Sequence, residues 1–442
     1  MRGREGRETD MSYDFDLLCV GLGPAGMAVS VMGSNMGLKV CAIEKRAVGG
    51  ECMNVGCIPS KALLRIAKVR ALFDKLGEYE LADRPKPEPK APFARIRAHL
   101  AYISEKKTMS MFDKVHMVYQ KGPATFVDDH TVAVGDERFT ARQLFLCTGT
   151  QPEIPPFPGI EDVPHLTNDT LFDLDTVPPR LIVTGGGAIA CEMAQAFARL
   201  GSAVTVIIRG PRLMWRECRP ATDILEAAFE KENIRILREE KPARFSKTDG
   251  GVCMETDKGT RVEADTVLVA AGRRYDYSDL APEKAGIRLT DKGAFRVDRF
   301  LRTNRKHIFA CGDCNGWHQF SHAAMHQGMI AIMNSMAPWP MKQDFRRYVV
   351  PWTVFTEPQF SHVGPRERDL EAKGVKYEAV EVRYEDYGAA IAERVDTGLI
   401  RALVSPWGRI LAVSILGEGS GEMINEWALA IQKGMRMHDI ML

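Results

Sequence analysis

The 442-residue sequence carries almost no net charge, since 59 lysines and arginines oppose 58 acidic residues and leave +1. That balance excludes, as first readings, a basic nucleic-acid binder and an acidic solvating chain. Long apolar runs are also missing. None approaches the ~18–20 residues of a bilayer span, so no membrane contact is expected. A secretory leader pattern is absent too. Met1 to Tyr13 is polar, and the first apolar stretch is short. This polar stretch reads as a leader, with Met11 as the expected start of the folded chain. The ten cysteines are scattered, at positions 19, 41, 52, 57, 147, 191, 218, 253, 311 and 314. No second grouping of Cys and His has metal-ligand spacing, so no metal is expected. Thiols so dispersed in a large chain point to buried cysteines in a reducing, cytoplasmic setting. A disulfide here needs a catalytic or sensing reason.

What is present is ordinary for a soluble globular chain, at 45% hydrophobic and 26% charged. The length predicts roughly three domains. Two similar motifs organise it. Asp14 to Val20 (DFDLLCV) reads as a buried parallel strand. Gly21-Leu-Gly23-Pro-Ala-Gly26 follows, then a helix over about 27–36, then a strand over 39–43 that closes on Glu44. Strand, glycine turn, helix, strand and acid together form a dinucleotide fingerprint. The first glycine makes the turn, and the second lets a pyrophosphate approach the backbone. The third lets helix and strand pack closely, with the helix N-terminus facing the anion. Glu44 lies where a carboxylate accepts a ribose hydroxyl.

The second copy is Arg180 to Thr184, then Gly185-Gly-Gly187-Ala-Ile-Ala190, a helix over about 188–200, and the strand AVTVII over 203–208. Two fingerprints predict two dinucleotides. The second strand ends on Arg209, with Arg212, Arg216 and Arg219 close behind. Loss of the acid and gain of arginines favours a 2′-phosphate, so NADPH is expected over NADH. The run RPKPEPKAP (84–92) reads as an extended surface connection. Helical patterns flank it over 61–76 and 93–112.

Between Glu44 and that run lies GGECMNVGCIPSK, residues 49–61. Cys52 and Cys57 are five residues apart, about 7.5 Å of rise on a regular helix. That exceeds the usual Cα separation across a disulfide, so the chain must be irregular there. Lys61 can share a helix face with Cys57.

The stretch GGECMNVGCIPSKALLR resembles the redox motif of the class I flavoprotein pyridine nucleotide-disulfide oxidoreductases. The spelling CIPSKALL is most similar to dihydrolipoamide dehydrogenase. GSAVTVIIRGPRLMWRE resembles the matching segment of mercuric reductase. The resemblance covers almost the whole chain. It implies an α/β fold with two Rossmann-like dinucleotide-binding domains, for FAD and NAD(P), plus a C-terminal α+β dimerisation domain. The expected division is 1–150 for the first part of the FAD domain and 151–274 for the NAD(P) domain. A central segment at 275–345 completes the FAD site, and dimerisation takes 346–442.

Carried over by position, the resemblance implies that Cys52 attacks the substrate disulfide and that Cys57 is the thiolate against the flavin. Lys61 and Glu192 form an ion pair beside it. FAD contacts are implied at Gly21, Gly23, Gly26, Glu44, Gly50, Lys61, Ala124, Thr148, Gly149, Gly312 and Asp313. The nucleotide is expected at Gly185, Gly187, Ala190, Arg209 and Gly272. Cys311-Gly-Asp-Cys314 falls on the second FAD motif and reads as buried thiols. His322 is expected to shape the flavin site.

The implied activity is electron transfer between NAD(P)H, FAD, the Cys52–Cys57 pair and a small-molecule or protein-bound disulfide or dithiol, by a homodimer. Dihydrolipoamide chemistry in a 2-oxoacid dehydrogenase complex is the first reading, and an NADPH-linked mercuric reductase-like enzyme the alternative. A non-enzyme, an FAD-binding redox sensor or structural partner, accords poorly with an intact cysteine pair. The sequence stops at Leu442, before the segment in which the family places its acid–base histidine. Either a tail or the dyad itself is therefore expected to be missing, and His438 is not assigned the role.

Overall fold

A computed structural model describes residues 13–441, and the expected start at Met11 lies outside them. The chain divides into two compact units. The first takes residues up to Cys52, Ile103–Thr150 and Tyr275–Phe345; the second takes Met53–Tyr102, Gln151–Arg274 and Arg346 onward.

The first unit is built on five parallel strands in the order His116–Tyr119, Val40–Glu44, Phe15–Val20, Glu137–Leu146 and Ile308–Ala310. Their apolar runs are near-continuous because both faces of a parallel sheet are covered. Val40–Glu44 is buried at every position. The antiparallel strands Thr125–Phe126 and Thr131–Val134 extend the sheet from the start of Glu137–Leu146. Helix Pro24–Asn35 begins with proline in its first turn, where the missing N–H costs nothing. It packs on helix Ser321–Met336. A Cβ on Gly328 would come within 2.4 Å of the Ala25 carbonyl oxygen, so glycine is what permits that approach.

The second unit carries another parallel sheet, ordered Arg235–Arg238, Ala203–Ile208, Arg180–Thr184, Thr266–Val269 and His165–Leu166. Helix Ala188–Leu200 covers it and stops at Gly201, whose φ of +111° suits glycine. The antiparallel strands Pro242–Thr248, Gly251–Thr256 and Arg261–Ala264 follow. The C-terminal part is an antiparallel sheet, ordered Trp352–Val354, Phe360–Val363, Ile410–Leu416, Leu399–Val404 and Glu378–Arg383, with helix Ser420–Lys433 on it. Leu63 and Ala67 of helix Cys57–Ala71 share one core with Phe93 and Phe197.

Two helical expectations shift. The helix predicted over 61–76 runs from Cys57 to Ala71 and then tightens into a 3₁₀ segment, Leu72–Tyr79. Pro59 lies in its first turn, where proline is tolerated. The pattern over 93–112 is α-helical only to Ile103, then widens to a π-helical turn over Ser104–Thr108 and tightens to 3₁₀ over Met109–Phe112. The polar run SEKKT supplies no apolar face to hold it. Residues 82–89 form no regular structure. Among the described residues, no helix is long and apolar enough to cross a membrane.

Candidate active site

The two fingerprints solve one steric problem twice. In the first, Gly21 has φ +91°, and a Cβ there would come within 2.6 Å of the Cys147 carbonyl oxygen. A Cβ on Gly26 would come within 1.9 Å of the Gly21 carbonyl oxygen, whereas one on Gly23 would meet nothing within 4 Å. In the second, Gly185 has φ +122° and its Cβ would lie 2.3 Å from the Ala270 carbonyl oxygen. Gly187 again faces open space. Ala190 stands in place of the third glycine and is fully buried. In both copies the second glycine opens onto the start of a helix that has no side-chain cap. The first helical N–H groups are thereby left for an anion. Both cradles fit the pyrophosphate of a dinucleotide.

Glu44 is buried. Its carboxylate accepts the Leu22 N–H at 2.8 Å and the Arg46 N–H at 2.7 Å, which pins the glycine turn. The Gly49 N–H donates to the Leu22 carbonyl at 2.8 Å. A Cβ on Gly50 would press to 2.8 Å from Gly23 Cα, so the redox segment starts flush against that turn. Ala124 is buried, and Thr148 and Gly149 follow the strand Glu137–Leu146. Gly312 and Asp313 follow Ile308–Ala310, the neighbouring parallel strand. The Gly312 N–H donates to Gln327 Oε1 at 2.8 Å, and Asn315 Nδ2 donates to the same oxygen at 2.7 Å. These residues all belong to the first unit, and the carboxyl ends of its parallel strands bring them together. Gln327 is a site-shaping residue missed in the sequence; its signal was a polar side chain on a small-residue helix face.

Cys311 and Cys314 lie within this core. The Cys314 thiol donates to the Cys311 and Leu146 carbonyls at 3.3 and 3.4 Å. Burial pushes it up to about 12, so it stays protonated. His322 is exposed.

Cys52 sits in the short helix Gly50–Asn54, and Cys57 opens helix Cys57–Ala71. The break at Val55–Gly56 supplies the irregularity that the spacing requires. Both thiols are half-buried. Cys57 lies at a helix N-terminus, a position that favours the thiolate. The division between units falls just after Cys52, so Cys57, Lys61 and Glu192 belong together in the second unit.

Lys61, one turn beyond Cys57, reaches both carboxylate oxygens of Glu192, Nζ to Oε1 at 3.0 Å and to Oε2 at 2.8 Å. Glu192 is buried on helix Ala188–Leu200, and its Oε1 also accepts the Phe355 N–H at 2.9 Å. Lys61 Nζ lies 4.5 Å from the centroid of the Phe355 ring. Just beyond, Glu357 receives Lys68 at 2.6 Å and Arg199, and its carbonyl accepts Gln195 Nε2 at 2.7 Å. Burial alone would push the Glu357 carboxyl up, but Arg199 and Lys68 outweigh it and hold it below the usual range. Phe355 and Glu357 come from VFTEP, which the sequence marked only as part of a dimerisation domain. The Phe355 link to Glu192 and the Glu357 link to Gln195 each span more than 160 positions, and no local pattern encodes them.

In the nucleotide half, Gly272 has φ +151°, and its carbonyl accepts the Glu153 N–H at 3.0 Å. Arg209 is exposed at the strand end. Its neighbours are occupied. Arg212 donates to Thr222 at 2.9 Å and to the Trp215 carbonyl, Arg216 stacks on Trp215, and Arg219 faces Asp223.

Two dinucleotide cradles, a paired-cysteine segment and a lysine bound to a buried glutamate define a flavin- and nicotinamide-dependent oxidoreductase. The pattern described as pyridine nucleotide-disulphide oxidoreductase matches residues 15–328, and the dimerisation domain of that family matches 350–442. The chain belongs to this family, whose members use FAD and NAD(P)H. It is 32% identical to a dihydrolipoamide dehydrogenase of Chaetomium thermophilum, over 99% of this chain and 89% of that one. It is 31% identical to a mercuric reductase of Acidithiobacillus ferrooxidans, over 98% of this chain and 80% of that one. Among solved structures, the HOCl-induced flavoprotein disulfide reductase RclA from Escherichia coli superposes with a TM-score of 0.84 at 26% identity. That match covers 95% of this chain and 94% of RclA.

Proposed function

We propose that this chain is a homodimeric, NADPH-favouring disulfide oxidoreductase that works on a disulfide or dithiol substrate in the manner of dihydrolipoamide dehydrogenase. The observation that carries the reading is the Lys61–Glu192 pair held one helical turn from Cys57. FAD would be held by Gly21, Gly23, Gly26, Glu44, Gly50, Ala124, Thr148, Gly149, Gly312 and Asp313, and supplies the relay between a two-electron hydride donor and a disulfide.

The remaining chemistry belongs to the two thiols. As a thiolate, Cys52 attacks one sulfur of the substrate disulfide. A mixed disulfide forms and one substrate thiolate leaves. The Cys57 thiolate then attacks the Cys52 sulfur, closing the Cys52–Cys57 bond and expelling the second substrate thiolate. Two electrons pass to the substrate, and two protons from solvent complete its dithiol. Lys61, fixed by Glu192, keeps a positive charge near the Cys57 end of the helix, where it stabilises the thiolate.

Gly185, Gly187, Ala190 and Gly272 would seat the nicotinamide dinucleotide, with Arg209 free to meet a 2′-phosphate. A reducing cytoplasmic setting fits the many buried thiols, and a 2-oxoacid dehydrogenase complex is the partner this reading implies. Mercuric reduction is the second reading, favoured by the arginine-rich strand end in place of an acid.

The test is a matrix of kcat/KM values for NADPH and NADH against lipoamide, oxidised glutathione and Hg(II). NADPH-dependent turnover of a disulfide supports the proposal. Turnover of Hg(II) alone transfers it to the second reading, and a clear preference for NADH removes the role given to Arg209.

A further inference from the structure

At the amino ends of strands Thr131–Val134 and Ile308–Ala310, away from the glycine turn at the carboxyl end of Phe15–Val20, two imidazoles lie face to face. His130 and His307 have ring centroids 3.9 Å apart and planes 8° apart, and Tyr13 stacks on the other side of His130 at 4.8 Å. His130 ends the tight turn before strand Thr131–Val134, and His307 immediately precedes strand Ile308–Ala310. Asp313 closes the other end of that strand, six residues on, which puts ~20 Å of extended chain between the stack and the FAD motif.

Each ring is locked by a backbone carbonyl. His130 Nδ1 lies 2.8 Å from the Ala141 oxygen, and His307 Nε2 lies 2.8 Å from the Asp129 oxygen. A carbonyl only accepts, so those two nitrogens carry the protons. His130 Nε2 and His307 Nδ1 are left with lone pairs. This is the arrangement by which proteins prepare imidazoles as metal ligands: one nitrogen donates to a carbonyl and the other is kept basic.

A carboxylate completes the set. Asp129 Oδ2 lies beside the His307 ring, 3.9 Å from the Nε2 that donates to the Asp129 carbonyl, and Asp129, His130 and His307 each offer a donor atom within 4.8 Å of the others. All three are partly exposed, so an ion can reach them from solvent. Arg305 NH1 lies 3.9 Å from the same Asp129 oxygen, but its Nε is engaged by the Ala285 carbonyl at 3.0 Å. Local spacing could not reveal the set, because 178 positions separate Asp129 from His307.

We propose that Asp129, His130 and His307 form a second site, separate from the redox centre, that binds one divalent transition-metal ion of the imidazole-preferring class, with Zn(II) as its probe. Donor atoms around such an ion sit roughly 3 Å apart. Binding therefore draws the donor atoms together by up to about 2 Å and tilts the nearly parallel rings so that their lone pairs converge. With three protein donors, solvent completes the coordination.

The experiment is a calorimetric Zn(II) titration of the full-length, FAD-loaded chain carrying Cys52→Ser and Cys57→Ser, which removes the competing thiolates. The expected result is one saturable ion per chain, weakened about tenfold or more by His130→Ala and by His307→Gln. The glutamine amide can still donate to the Asp129 carbonyl, and retained FAD confirms that each variant is folded. On the parent itself, sub-stoichiometric Ni(II) should broaden the ring signals of two of the ten histidines before the others. No saturable uptake by the parent, unchanged affinity in both folded variants, or uniform broadening of all histidines would overturn the proposal.

Discussion

Replacing Gly23 or Gly26 by alanine adds the same methyl group three residues apart, yet the structure predicts opposite failures. At Gly26 the new Cβ lies 1.9 Å from the Gly21 carbonyl oxygen and 3.1 Å from Cys19 Sγ. The turn or the helix must shift by more than an ångström to restore ordinary contact. Overpacking of that kind costs roughly 1–3 kcal/mol, and here the rigid partner is backbone. At Gly23 the backbone has φ −67° and ψ −174°, which alanine adopts freely, and nothing lies within 4 Å. Folding should change by no more than about 0.5 kcal/mol. The methyl group instead enters the space over the helix N-terminus, where the pyrophosphate must approach. Losing one or two charge-assisted hydrogen bonds, at about 1.5–3 kcal/mol each, weakens FAD roughly tenfold to a hundredfold or more. The assay is thermal unfolding of the apo-protein, paired with FAD titration by flavin fluorescence. Gly26→Ala should lower apo stability, and Gly23→Ala should leave it unchanged while FAD affinity falls. If Gly23→Ala binds FAD normally, the phosphates do not lie over that turn and the cradle argument is wrong.

Other consequences are as direct. Cys57→Ser should retain FAD and lose about a thousandfold or more in disulfide reduction, measured as NADPH-dependent turnover. Arg209→Glu should restore an acid at the strand end and move kcat/KM toward NADH by about tenfold, read as the ratio for the two nucleotides. Glu357, held below the usual carboxylate range, contributes stability that is present above its unfolded value near pH 4. That contribution is lost as pH falls through the lower folded value. Glu357→Gln should therefore unfold more easily than the wild-type chain at pH 7, with the gap closing below about pH 4, as followed by circular dichroism.

Much of the fold was legible because parallel strands and glycine turns are local signals. DFDLLCV and RLIVT read as buried strands, and both G-x-G turns lie where spacing put them. The cysteine spacing demanded an irregular chain, and the break at Val55–Gly56 provides it. What could not be read is what depends on distant partners. Glu192 was found by position, but its second anchor, the Phe355 N–H, comes from a segment with no local mark of that role. Arg212, Arg216 and Arg219 read as one basic cluster with Arg209, yet their guanidiniums face Thr222, Trp215 and Asp223. Composition counts charge, but only packing decides which charge is available. The polar run after Ile103 shows the converse. A helical pattern without a buried face does not hold a regular helix.

The central claim is that Cys52 and Cys57, among ten cysteines, exchange electrons with NADPH. It is tested most directly by alkylating the air-oxidised, FAD-loaded protein under native conditions before and after anaerobic NADPH, with label located by mass spectrometry. Cys52 and Cys57 should resist label at first and take it up only after NADPH. Cys41 and Cys314, pushed up to about 12 by burial, should stay unlabelled throughout. Labelling of Cys52 and Cys57 that is the same with and without NADPH would contradict it.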